Sequence, residues 1–239
     1  MTERGRGAVG RSASRFAVGP SSLDWDGQAL TIRVDEIAVP LPARLRGTIR
    51  LEPTVRTARS FALDAGGRHH WWPIAPAGRV SVRMERPDLA WDGTGYFDTN
   101  RGAESLEAGF ADWTWSRALL PADRGRDPGA AILYEARRRD GSDLALALRV
   151  DRSGRIDAFD PPPPAVLPGT FWRVPRTTRS IGAARVVETL EDAPFYARSV
   201  VEQRLFGQTV AAVHESLSLD RFATRWVKLL LPFRMPRRG

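Results

Sequence analysis

The sequence predicts an all-β protein, and three observations carry that expectation. Apolar and polar residues alternate in short segments, glycine-containing turn signals separate those segments, and stretches with helical periodicity are rare. The alternation is clearest in "ALTIRVDEIAV", "LRGTIRLEP", "GRVSVRME", "LALALRVDRSGRIDAF" and "ARVVETLE". "RDGSD" and "DRSGR" fit hairpin turns, where glycine supplies the positive φ that joins two strands. "DPPPPAVLP", residues 160–168, is too rich in proline for a central strand and reads as a loop or an edge. Such a pattern belongs to a sandwich or a barrel.

A chain of 239 residues with 42% apolar residues can bury a substantial core. "RPDLAWDG", with Pro87 and Gly93, breaks the pattern, and the boundary is placed there: residues 1–88 form an N-terminal β domain and residues 89–239 a C-terminal one. The first is short for a closed barrel, so an open N-terminal sheet or a missing leading segment is expected.

Composition excludes several chemistries. There is no cysteine, hence no disulfide, thiolate zinc site or cysteine nucleophile. The start, "MTERGRGAVGRSASRF", lacks the apolar stretch of a secretory signal, and no apolar run is long enough to span a bilayer. The net charge of +8 is concentrated at the C-terminal end, where Arg221, Arg225, Lys228, Arg234, Arg237 and Arg238 face one acid, Asp220. The remainder is nearly balanced, which argues against a nucleic-acid groove. "GRGAVG" satisfies the dinucleotide pattern but lacks a preceding strand. "DTNRGA" begins like a calcium loop, yet Ala103 stands where that loop needs glycine and Gly109 where it needs glutamate. No cofactor is called for.

Three aromatic clusters remain as candidates for chemistry. In "HHWWPIAP", residues 69–76, strand alternation places His69 and Trp71 on one face and His70 and Trp72 on the other, so the adjacent histidines do not share a metal. In "WDGTGYFDTNRG", residues 91–102, Tyr96 and Asp98 share a face, with Trp91 and Phe97 nearby. A carboxyl group among such rings can be held neutral as a general acid, or it can cap a turn as an ion; both readings stay open. In "FADWTWSR", Trp113 and Trp115 share a face, either as a core wall or as the lining for a large apolar ligand.

"HHWWPIAP", "GTGYFDTNRGAESLEAGFADWTWSRA", "LEDAPFYARS" and "HESLSLDRFATRWVKLLLPFRMPR", in that order, closely resemble the bacterial carotenoid 1,2-hydratases, or hydroxyneurosporene synthases. The resemblance implies a tandem lipocalin-like fold with an incomplete N-terminal domain. It implies addition of water across the terminal C1,2 double bond of acyclic carotenes such as neurosporene and lycopene, without cofactor or metal. It also carries over His69, Trp71, Tyr96 and Asp98 as catalytic residues, with Trp91, Phe97, Trp113 and Trp115 as the substrate lining. On this reading Asp98 protonates C2, Trp71 and Tyr96 offer π faces worth about 2 kcal/mol each to the tertiary cation, and His69 takes the proton of the captured water. The basic, leucine-rich tail suits peripheral contact with the cytoplasmic side of the photosynthetic inner membrane, or else a closing strand. The rival reading is a lipocalin-like carrier that binds a polyisoprenoid without chemistry.

Overall fold

In the computed structural model, residues 4–38, 42–121 and 129–231 are described. The first sheet has eight antiparallel strands: β1 (Val9–Arg11), β2 (Arg15–Val18), β3 (Ser21–Trp25), β4 (Leu30–Ala38), β5 (Ala43–Val55), β6 (Phe61–Ala62), β7 (His69–Arg86) and β8 (Leu89–Gly102). Its order is β1-β2-β3-β4-β5-β7-β6, with β8 paired to β7. A short helix, α1 (Leu106–Gly109), leads into β9 (Phe110–Leu119), β10 (Ala130–Arg138), β11 (Asp143–Val150), β12 (Ile156–Ala158), β13 (Pro164–Val166), β14 (Thr177–Arg179), β15 (Arg185–Asp192), β16 (Tyr196–Leu205) and β17 (Gln208–Ser218). Seven of these form a second sheet ordered β12-β11-β10-β9-β17-β16-β15, while β13 and β14 make a separate ribbon. The chain ends in α2 (Leu219–Phe222) and α3 (Arg225–Leu230).

Two compact units divide the chain: residues 1–54, 78–96 and 228–239 in one, residues 55–77 and 97–227 in the other. The sequence cut after residue 88 falls inside the 78–96 stretch, because β5, β7 and β8 each run through both units. In the first unit the meander register pairs Leu30 with Leu51, Ile32 with Ile49 and Val34 with Gly47. Leu30, Leu51 and Val82 are buried there, while β1 is exposed throughout. Among the described residues no ladder joins β1 to the other end of this strand order.

In the second unit both faces of the sheet are covered. Ala118, Leu133, Val201, Leu205 and Ala212 form an apolar cluster on one side, joined by Leu167 from beside the β13–β14 ribbon. The other side carries Trp113, Trp115, Ile132 and Tyr134, since directly paired residues of an antiparallel ladder share a face. β10 is therefore buried on both faces, and "AAILY" shows no alternation.

The C-terminal β-barrel expected from the sequence is not closed among the described residues. β12 and β15 are the ends of the strand order, with no ladder joining them. β12 has three residues, and the β15–β16 register shifts twice, between Val186 and Glu188 and between Thr189 and Glu191. The prolines from 161 to 164 lack the N–H groups a closing ladder would need. The ribbon covers the sheet instead of extending it, and the proline-rich run accordingly lies at an edge.

In the first unit the backbones of β5 and β7 approach closely at Gly47. A Cβ there would stand 2.6 Å from both the Arg83 carbonyl oxygen and Met84 Cα on β7, which are backbone atoms that cannot rotate away. Gly47→Ala should destabilise the protein by about 1–3 kcal/mol, read as a lower denaturant midpoint.

Candidate active site

β7 begins at His69 because the turn before it is organised by one carboxylate. Asp64 Oδ1 accepts the Arg68 backbone N–H at 3.1 Å and Oδ2 accepts that of His69 at 2.7 Å. His69 Nδ1 lies 3.2 Å from the same Oδ2. Burial pushes the Asp64 carboxyl up, but the N–H groups of Arg68, His69 and Gly66 together with the imidazole outweigh it and bring its pKa to about 2. An ionised acceptor beside Nδ1 places a ring proton on that nitrogen, so in the neutral imidazole the lone pair is on Nε2. Nε2 is buried and has no hydrogen-bond partner among the described residues.

The His69 ring is tightly enclosed. Phe110 meets it edge-on at 4.9 Å. A Cβ on Gly102 would come within 2.6 Å of His69 Cδ2, and one on Gly109 within 2.8 Å of Cε1. Glycine at these two positions lets the backbone close over the imidazole.

Alternation along β7 is as the sequence implied. His69 and Trp71 are buried, whereas His70 and Trp72 are half-buried and turn to the turn and loop backbone: His70 Nε2 lies 3.0 Å from the Gly67 carbonyl oxygen, and Trp72 Nε1 donates to that of Thr57 at 3.0 Å. Trp71, with no exposed surface, donates its indole N–H to Asp98 Oδ2 at 2.7 Å. Its ring packs against Phe61, its β6 partner, at 5.7 Å and against Tyr134 at 5.0 Å.

Tyr134 extends the cluster to the second sheet. It is paired with Trp115, which is paired in turn with Glu215, so the three form one row on one face. Trp113, two residues from Trp115, has its ring 6.4 Å from Tyr134. Burial, and then the negative charge that Asp98 and Glu215 carry when ionised, push the Tyr134 phenol far above its ordinary pKa, so it remains an O–H group. Glu215 is paired with Arg198 at 2.9 Å.

The structure thus gathers His69, Trp71, Asp98, Trp113 and Trp115 within one compact unit. Phe97 is half-buried and alternates to the opposite face of β8 from Asp98. Tyr96 and Trp91 belong to the other unit. Tyr96 is half-buried. Trp91 is 46% exposed, its ring lying over Gly93 of its own strand. Asp64, Phe110 and Tyr134 escaped the sequence reading. The turn pattern "DAGGRH" could have marked Asp64; nothing in "AAILYEARR" marks Tyr134.

A cavity of about 430 Å³ opens beside Trp113, Leu217 and Val174, rimmed by the ion pairs Glu135–Arg179 and Asp112–Arg137. Neither His69, Trp71 nor Asp98 lines it. Among the described residues no three His, Asp or Glu side chains gather as a metal-ligand set.

Residues 1–239 match the family model described as carotenoid hydratase CrtC. The chain belongs to the carotenoid hydratase family. Acyclic carotenoid 1,2-hydratases from Thiocapsa roseopersicina and Rubrivivax gelatinosus are 54% and 43% identical to it over 242 and 241 residues, and each match covers all of this chain and 58% of the relative. The chain therefore spans less than two thirds of the length of these two hydratases. A third, from Cereibacter sphaeroides, is 42% identical over 241 residues, with 84% of its own length covered. The crystal structure of an AttH candidate from Nitrosomonas europaea shares the fold, with a TM-score of 0.56 at 16% identity, over 89% of this chain and 72% of that one.

The depressed Asp64 pKa has a definite sign. Its contribution to stability is fully present above the unfolded value near 3.8 and is lost as pH falls through about 2. Asp64→Asn should lower the urea midpoint at neutral pH and lose stability less steeply than the native chain between about pH 4 and about pH 2. Its His69 ring-nitrogen NMR signals should also lose the single Nδ1–H form.

Proposed function

We propose that this chain, like the hydratases it matches, adds water across the terminal C1,2 double bond of acyclic carotenes such as neurosporene and lycopene. The observation that carries the reading is the hydrogen bond of 2.7 Å from the buried Trp71 indole to the Asp98 carboxyl group, set in an aromatic wall on the strand that also places His69.

In this reading Asp98 delivers a proton to C2, the π electrons of the double bond form the new C–H bond, and a tertiary cation develops at C1. Water adds its oxygen to C1 and loses a proton to Nε2 of the neutral His69 ring, an atom with no hydrogen-bond partner among the described residues. Return of that proton to Asp98 closes the cycle. The addition balances with water alone, so it calls for no cofactor.

Trp71 takes a different role from the π-face donor that its sequence position suggested. Its rings are packed on Phe61 and Tyr134, and its N–H holds the Asp98 carboxyl group in one orientation. Tyr96 is retained from the family resemblance as the proposed face for the cation, and Trp113 and Trp115 as the proposed lining for the polyene. Trp91 and Phe97 are retained as lining residues from the family resemblance.

Carotenes partition into bilayers, so we also propose peripheral contact with the inner membrane through the basic C-terminal segment. Among the described residues no helix is long and apolar enough to cross a membrane. Part of that segment, including Phe233, Arg234, Arg237 and Arg238, lies outside the described residues.

Expression in a lycopene-producing bacterium should yield 1-hydroxy carotenes. Asp98→Asn, which keeps an acceptor for the Trp71 N–H, should lower product formation by roughly 10² to 10⁴-fold while carotene binding persists. Equal product from this variant would remove Asp98 as the acid, and binding without product from the native chain would favour the carrier reading.

A further inference from the structure

Outside the candidate active site, the second unit holds large aromatic side chains in water. Phe171 is 87% exposed, Trp172 42% and Trp226 49%. Their rings form a continuous group, with Phe171 at 5.7 Å from Trp172 and Trp172 at 6.2 Å from Trp226. Single exposed hydrophobic residues are ordinary, but three adjoining aromatic rings make a contiguous apolar patch that calls for a cause.

The loop bearing Phe171 and Trp172 is tied down through its backbone. Asp192 Oδ2 accepts the N–H of Phe171 at 2.8 Å and that of Trp172 at 3.4 Å. The Arg221 guanidinium donates to the carbonyl oxygens of Trp172 at 2.6 Å and Arg173 at 2.9 Å. Thr170 accepts from the N–H groups of Arg173 and Val174, and Val174 is buried. Hydrogen bonds therefore fix the loop, while its aromatic side chains project outward without burial to reward them.

The surrounding charge is positive. Arg173 and Arg225 are exposed beside the rings. The nearby acids are engaged, Asp192 by the loop N–H groups and Asp220 by Arg139 at 2.5 Å.

We propose that the 170–174 loop together with Trp226 docks on an anionic lipid bilayer. Phe171 enters the boundary between headgroups and acyl chains. Trp172 and Trp226 lie at headgroup level, where an amphipathic indole is favoured, and Arg173 and Arg225 meet lipid phosphates. The charge selects an anionic bilayer over an apolar protein surface. The proposal deepens the membrane contact suggested above by assigning it to a preformed wedge as well as to the tail.

The test is flotation of the full chain with phosphatidylcholine vesicles, with and without phosphatidylglycerol, comparing native protein with the Phe171→Ser/Trp172→Ser double variant. The native chain should float with the anionic vesicles, less so at high salt, and the variant's bound fraction should fall roughly ten-fold or more at an unchanged thermal midpoint. Equal flotation of the variant, or native protein left unbound by anionic vesicles, would overturn the proposal. So would a lipid-free dimer that the variant dissolves, because a second copy would then cover the patch. Hydration of a short, water-soluble acyclic terpene separates this outcome from the hydratase reading: both proteins should turn it over equally. Failure of both would count against hydration and leave the docking surface to be judged by flotation.

Discussion

A tryptophan buried as completely as Trp71 cannot leave its indole N–H unpaired, since an unsatisfied buried donor costs about 1–3 kcal/mol. Asp98 is the acceptor, and much of the site follows from that constraint. The bond ties β7 to β8 and orients a carboxyl group that an exposed aspartate would leave free to rotate. The same indole separates Phe61 from Tyr134, so burying Trp71 also brings residues of three separate strands into one cluster.

The two carboxylates around β7 are given different work by their surroundings. Asp64 is buried beneath backbone N–H groups that stabilise its charge, and as an ion it fixes the tautomer of His69. Asp98 is half-buried among aromatic rings and meets an indole. One carboxylate orients an imidazole and the other is the proposed acid, a division of labour that would be set by donors and packing and not by residue type.

The fold alone does not select this chemistry. One architecture can host many reactions, so the proposed activity would belong to the side chains that β7, β8, β9 and β10 present.

Read alone, the sequence determined the all-β class, the hairpin turns, the edge character of the proline run and the division of "HHWWP" into two faces. These are local properties, fixed by side-chain periodicity and by the backbone limits of glycine and proline. Only the tertiary structure decided that Asp64 holds His69, that Trp71 serves Asp98 through its N–H, that Tyr134 joins them and that the second sheet stays open. Asp98 and Trp71 are 27 residues apart, and Tyr134 sits in a strand buried on both faces, where alternation vanishes. Pairings between distant strands depend on register and on the need to satisfy buried polar groups, neither of which a local pattern encodes.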